Sequence, residues 1–163
     1  SSRINLNLRE AHAYTYGAFS GFAWRRGAGP FVASSAVRSD VTADAAREMI
    51  AEIERIRAEP VTADELSLAT SYLGGVFPIK YETTDAIARA LAALVTYALP
   101  VDYFDRYRDN VRGVTRDDVQ RVAQQHLHPD ALQLVVVGDP DEVRAPIAAM
   151  EFGPLVEHEV EQP

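Results

Sequence analysis

At 163 residues the chain has the length of one domain and enough material to bury a core; 47% of it is apolar and 25% charged, as in an ordinary globule. The formal net charge of −8, with Lys80 the single lysine and no basic stripe, argues against a nucleic-acid partner, because phosphate backbones would be repelled. No cysteine is present, which excludes disulfides and thiolate metal sites, and the longest apolar run, residues 87–99, is interrupted by Arg89, so no membrane span is expected.

Residues 1–10 read as a helix, although Ile4, Leu6 and Leu8 alternate with Arg3, Asn5, Asn7 and Arg9 in a way that also suits a strand. Helix propensity falls away at Tyr14-Thr15-Tyr16-Gly17. Residues 14–26 and 31–41 are expected as two strands, joined by Gly27-Ala28-Gly29-Pro30. If the first strand is regular, Tyr14 and Tyr16 share a face. In the second, Val32, Ser34 and Ala36 alternate with Phe31, Ala33, Ser35 and Val37.

From Thr42, expected as an N-cap, the period becomes helical. Ala45, Met49, Ile50, Ile53 and Ile56 make the buried stripe, Glu48 and Glu52 lie on the polar face, and Pro60 marks the stop. Thr62 and Glu65 have capping-box spacing before a helix that buries Leu66, Ala69, Leu73 and Val76 and ends at Pro78. Residues 84–99 form a helix apolar almost all round, which predicts burial on two sides. A short aromatic helix at 102–111 and one at 115–127, opened by Thr115 and Asp118, follow. Residues 132–137 are wholly apolar and predict a central strand; residues 141–150 a last helix. The domain is expected over 1–152, with an acidic tail over 153–163 that is partly disordered. Strands, then helices, then a returning strand give an α+β fold.

The chemistry-bearing motifs are few. His12, His126, His128 and His158 lack the offsets of a zinc motif, and His126 at a helix end suits the macrodipole better than a metal. Asp64-Glu65 and Asp117-Asp118 sit at helix starts, where capping explains them. Gly27-Ala28-Gly29 is a turn rather than a phosphate loop. Trp24 reads as packing, and Tyr103, Phe104 and Tyr107 have core spacing. That leaves Arg9 and Tyr16. On the residues alone, a surface arginine and a tyrosine packed on its strand come first; two donors on adjoining elements, able to hold a peptide carbonyl, come second.

The string SSRINLNLREAHAYTYGAFSGF, with Gly29-Pro30-Phe31, Val61 to Leu66, Gly75 to Pro78, Leu99 to Tyr103, Val114 to Val119 and Val135 to Asp139 in order behind it, resembles the second domain of the pitrilysin/insulinase/mitochondrial processing peptidase family of zinc peptidases. The likeness runs from Ser1 to about Met150 and is to bacterial forms, which implies periplasm or cytoplasm. It implies helices packed on one face of a mainly antiparallel sheet, in a C-terminal domain that begins inside its own N-terminal part. The family's inverted zinc motif, His-x-x-Glu-His, is absent. The resemblance therefore implies no metal in this chain and zinc in a partner domain or subunit, where peptide-bond hydrolysis takes place.

The resemblance also reverses the order for Arg9 and Tyr16. It implies that both donate to substrate carbonyls and stabilise the oxyanion, a donor of this kind being worth ~3–4 kcal/mol. Tyr14 becomes a substrate-pocket wall or a core residue. His12 and Ala13 depart from the family's usual basic residue and glycine, so the turn there is expected to differ. The alternatives are an inactive scaffold of the same fold and a peptide-binding subunit, and an unpaired sheet edge implies self-association.

Overall fold

The structure, a computed structural model, describes residues 2–158. Ser1 and residues 159–163, which include the end of the expected acidic tail, lie outside the described residues. It is mostly helical with one small antiparallel sheet of two strands, an α+β arrangement. In chain order come α1 (Arg3–Asn5), continuing as a π-helical turn (Leu6–Ala11), β1 (Ala18–Phe22), β2 (Phe31–Ser35), α2 (Thr42–Ala58), α3 (Ala63–Lys80), α4 (Thr84–Thr96), α5 (Tyr103–Arg112), α6 (Arg116–His126) and α7 (Pro140–Ala148).

Two compact units share this chain. One holds the described residues of 1–20, 33–53 and 129–163; the other holds 21–32 and 54–128. In the first, Ile4, Leu8, Ala18 and Ala45 form the buried cluster, with Tyr14, Ala33, Val37 and Met49 packed on it. Leu8 has no exposed surface at all. β2 alternates as its sequence predicts, Phe31, Ala33 and Ser35 half-buried and Val32 and Ser34 exposed. In α2, Ala45 and Ile53 are buried as expected. Glu52, expected on the polar face, is buried as well, because Asn7 Nδ2 donates to it at 3.1 Å and to Glu48 at 2.8 Å. Thr42 is not the N-cap; a 3-10 turn (Ser39–Val41) precedes it and its hydroxyl donates to the Arg38 carbonyl.

In the second unit both capping boxes form. Glu65 N donates to Thr62 Oγ1 and Thr62 N to Glu65 Oε2; Thr115 and Asp118 repeat the exchange. α6 then supplies what the end of α2 lacks. Gln120 and Gln124, one turn apart, donate to the Ala58 and Arg57 carbonyls at 3.1 and 3.0 Å, and Arg116 donates to the Val61 carbonyl. α3 and α5 meet through stacked Phe77 and Tyr107 rings at 4.8 Å, with Tyr81, Phe104 and Tyr103 edge-on around them.

Further expectations fail. Residues 14–17 are not part of β1, which starts at Ala18. Residues 132–137 form no strand: among the described residues β1 and β2 pair only with each other, so the run has no ladder to join, and Val135 and Val137 are exposed. α3 passes through Pro78 to Lys80, since a proline two residues from the end forgoes a single hydrogen bond, and none of its apolar stripe is fully buried. α4 buries no residue on either side; Ile87, Leu91 and Val95 remain exposed because no second layer covers them. No described helix is long and apolar enough to cross a membrane.

Candidate functional site

The segment from Asn5 to Gly17 is held in place by backbone-directed side chains. Within the π turn the extra residue per turn is accommodated by hydrogen bonds from His12 N to Asn7 O and Tyr14 N to Leu8 O, at 3.1 and 2.8 Å. Such turns are rare and concentrate at functional sites. Ala13 closes the helix with φ of 53°, the left-handed region in which a glycine carries no penalty.

Beyond the turn, Asn5 acts as a substitute strand. Its Oδ1 accepts from Ala18 N at 2.9 Å and its Nδ2 donates to Ala18 O at 2.6 Å. Thr15 Oγ1 accepts from Gly17 N at 3.0 Å and lies 2.8 Å from the Ala36 carbonyl, while Ser35 Oγ donates to Gly17 O. These contacts replace the ladder that a regular strand over 14–17 would have made. They also break the two-residue alternation that would have set Tyr14 and Tyr16 on one face.

The three candidate residues end in different surroundings. Arg9 lies in the π turn with its side chain 57% exposed, its Nε 3.5 Å from Glu10 Oε1. Tyr16 is fully exposed and makes no hydrogen bond or ring contact among the described residues. Tyr14 is half-buried, packed on the Ile4–Leu8 cluster and stacked on His12 with ring centroids 4.9 Å apart. Tyr14 thus belongs to the support of the segment. Arg9 and Tyr16 share the rigid segment without touching each other, two outward donors anchored through Leu8 and Asn5. Sequence reading missed the π turn and the roles of Asn5 and Asn7; the alternation of Asn with Ile and Leu over residues 4–8 was the signal that both faces of this helix are occupied.

Among the described residues no group of three His, Asp or Glu side chains is placed to hold a metal, and His12 has only Glu48, 4.0 Å away, beside it.

Residues 1–73 match the family model described as the peptidase M16 inactive domain. In fold, the chain is similar to the crystal structure of a peptidase M16 inactive domain from Pseudomonas fluorescens, with a TM-score of 0.73 and 24% sequence identity. The match covers 79% of this chain and 31% of that one, so the chain spans less than a third of that structure. None of the curated proteins matches it in sequence. The N-terminal segment is thus similar to the M16 inactive domain, and the fold of the chain is like that of a solved M16 inactive domain.

Proposed function

We propose that this chain is the substrate-gripping half of an M16 zinc metalloendopeptidase, acting beside a zinc-bearing domain on the same polypeptide or on a partner subunit. The observation that carries this reading is that the fully exposed Tyr16 hydroxyl and the Arg9 guanidinium, paired at the surface with Glu10, are both presented outward from one pinned segment. A phenol and a guanidinium so held donate to the carbonyl next to the scissile bond and to the oxyanion that develops from it. The backbone that carries them is held before substrate arrives, which favours such donors. The chain alone, lacking a zinc donor set among its described residues, does not cleave peptides.

The test is the double substitution Arg9→Ala/Tyr16→Phe in the peptidase assembled with its zinc domain. Loss of kcat by about 10²-fold or more for each donor removed, with thermal stability unchanged, is expected. Unchanged turnover would refute the reading. A second reading, an inactive scaffold or peptide-binding subunit of the same fold, is favoured by the word inactive in the matching family description. It predicts that the double variant assembles with its partner as the parent does and that neither form turns over.

In either case helices cover one face of a larger antiparallel sheet once the partner is in place. The outer edges of β1 and β2, which among the described residues pair only with each other, take up a further strand from that partner or from a second copy.

A further inference from the structure

The hairpin of β1 and β2 ends in a loop, residues 23–30, whose chemistry differs from the rest of the molecule. The chain carries 24 acidic residues, yet none lies between Glu10 and Asp40. Arg25 and Arg26 stand exposed in the middle of that interval, and neither has an ion-pair or hydrogen-bond partner among the described residues. Elsewhere the arginines are mostly neutralised, as in Arg38–Asp40, Arg47–Asp44, Arg106–Asp102 and Arg121–Asp118. Beside the two free guanidiniums sits Trp24, which packs on Tyr97 as its sequence suggested yet keeps 66% of its surface exposed.

The loop is nevertheless fixed. Ala23 N donates to Pro30 O at 2.9 Å, and Gly29 lies so close to the Ala23 carbonyl that a Cβ there would come within 1.8 Å of the oxygen. The far side of Trp24 rests against Tyr97 at the end of α4, ring centroids 5.7 Å apart, and the Tyr97 hydroxyl donates to the Trp24 carbonyl. Below the tip, the Phe22 and Phe31 rings pack on each other at 5.1 Å, with Phe22 half exposed. An exposed aromatic held on Tyr97, next to arginines without a partner among the described residues and at the end of a two-stranded sheet, has the composition of an interface hot spot.

We infer that this hairpin tip is a docking site for an extended acidic peptide segment that carries apolar residues among its carboxylates. Arg25 and Arg26 pair with carboxylates, Trp24 and Phe22 cover the apolar side chains, and the strand edge supplies backbone hydrogen bonds. Charge complementarity selects this occupant, since the tip is locally cationic on a chain of net charge −8. A polynucleotide is the poorer match, because the surrounding acidity repels a dense polyanion. The inference holds whether or not Arg9 and Tyr16 engage a substrate.

Trp24 is the only tryptophan in the chain, so its emission reports on the tip directly. The intact 163-residue chain is titrated with a capped peptide alternating glutamate with leucine and phenylalanine, with its lysine counterpart, and with an oligothymidylate of equal length. Expected are a blue shift of Trp24 with the acidic peptide only, and an affinity that falls as salt rises from about 50 to about 500 mM. Arg25→Glu/Arg26→Glu lowers that affinity roughly tenfold or more and admits the lysine peptide; Arg25→Gln/Arg26→Gln weakens it without admitting that peptide. Equal binding of the acidic and basic peptides, preference for the oligothymidylate, or undiminished binding by both variants with unchanged circular dichroism would overturn the inference.

Discussion

Ala13 carries the clearest local strain in the candidate site. Its φ of 53° places a Cβ where L-residues are disfavoured by about 1–2 kcal/mol, partly offset by the greater freedom of glycine in the unfolded chain. Ala13→Gly is therefore expected to stabilise the chain by about 0.5–1 kcal/mol, and Ala13→Val to destabilise it, in a denaturant titration. Ala98, at φ 51° just beyond α4, makes the same demand in a separate place. Leu8, a completely buried residue of the π turn, is the anchor of the segment; Leu8→Ala should cost about 2–5 kcal/mol.

Asp118 gives a pH signature at the same scale. The Thr115 hydroxyl, then the Thr115 backbone N–H and the Arg121 guanidinium, hold its carboxyl below the usual carboxylate range. A depressed folded-state pKa contributes stability that is present above the unfolded value and is lost as pH falls through the folded one. Thr115→Val removes the largest of these contacts. It should raise the Asp118 pKa, read by NMR titration of the carboxyl, and shrink the fall in Tm on acidification.

Among the elements, what the sequence displays locally was legible. The capping boxes at Thr62 and Thr115, the α2 stripe and the alternation of β2 depend on neighbours three or four positions away, or two along a strand, and all of them form. What failed depended on distant partners. An apolar run such as 132–137 is a strand only beside another strand, and an apolar helix such as α4 is central only if something lies on both sides. Arg9 and Tyr16 could be singled out through the family's Leu-Arg-Glu and Tyr-Thr-Tyr-Gly strings. The π turn and the Asn5 clamp that position them could not, because they arise from side chains closing backbone gaps 13 residues apart. Asn5→Ala leaves both backbone groups of Ala18 without these partners and should cost about 2–3 kcal/mol in a denaturant titration, whereas Asn5→Asp should keep part of the clamp.

At the scale of the whole molecule, the apolar surface left uncovered is the dominant fact. No charged residue occurs from Leu66 to Ile79 or from Ala90 to Val101, and Leu68, Tyr72, Ile79, Leu91 and Val95 in those stretches are exposed. Val135 and Val137, in the other compact unit, are exposed as well, and exposed apolar surface of this kind favours association. On this account sedimentation velocity should show the isolated chain associating as its concentration rises, and a strictly monomeric profile at high concentration would count against it.

The central claim is that Arg9 and Tyr16 donate to substrate on a zinc domain's behalf. It is tested most directly by single-turnover kinetics of the peptidase assembled with its zinc domain, comparing the parent with Arg9→Ala, Tyr16→Phe and the double variant. The account predicts a slower chemical step in each variant, slowest in the double, with substrate binding changed far less and folding intact. Equal single-turnover rates in all four proteins would contradict it.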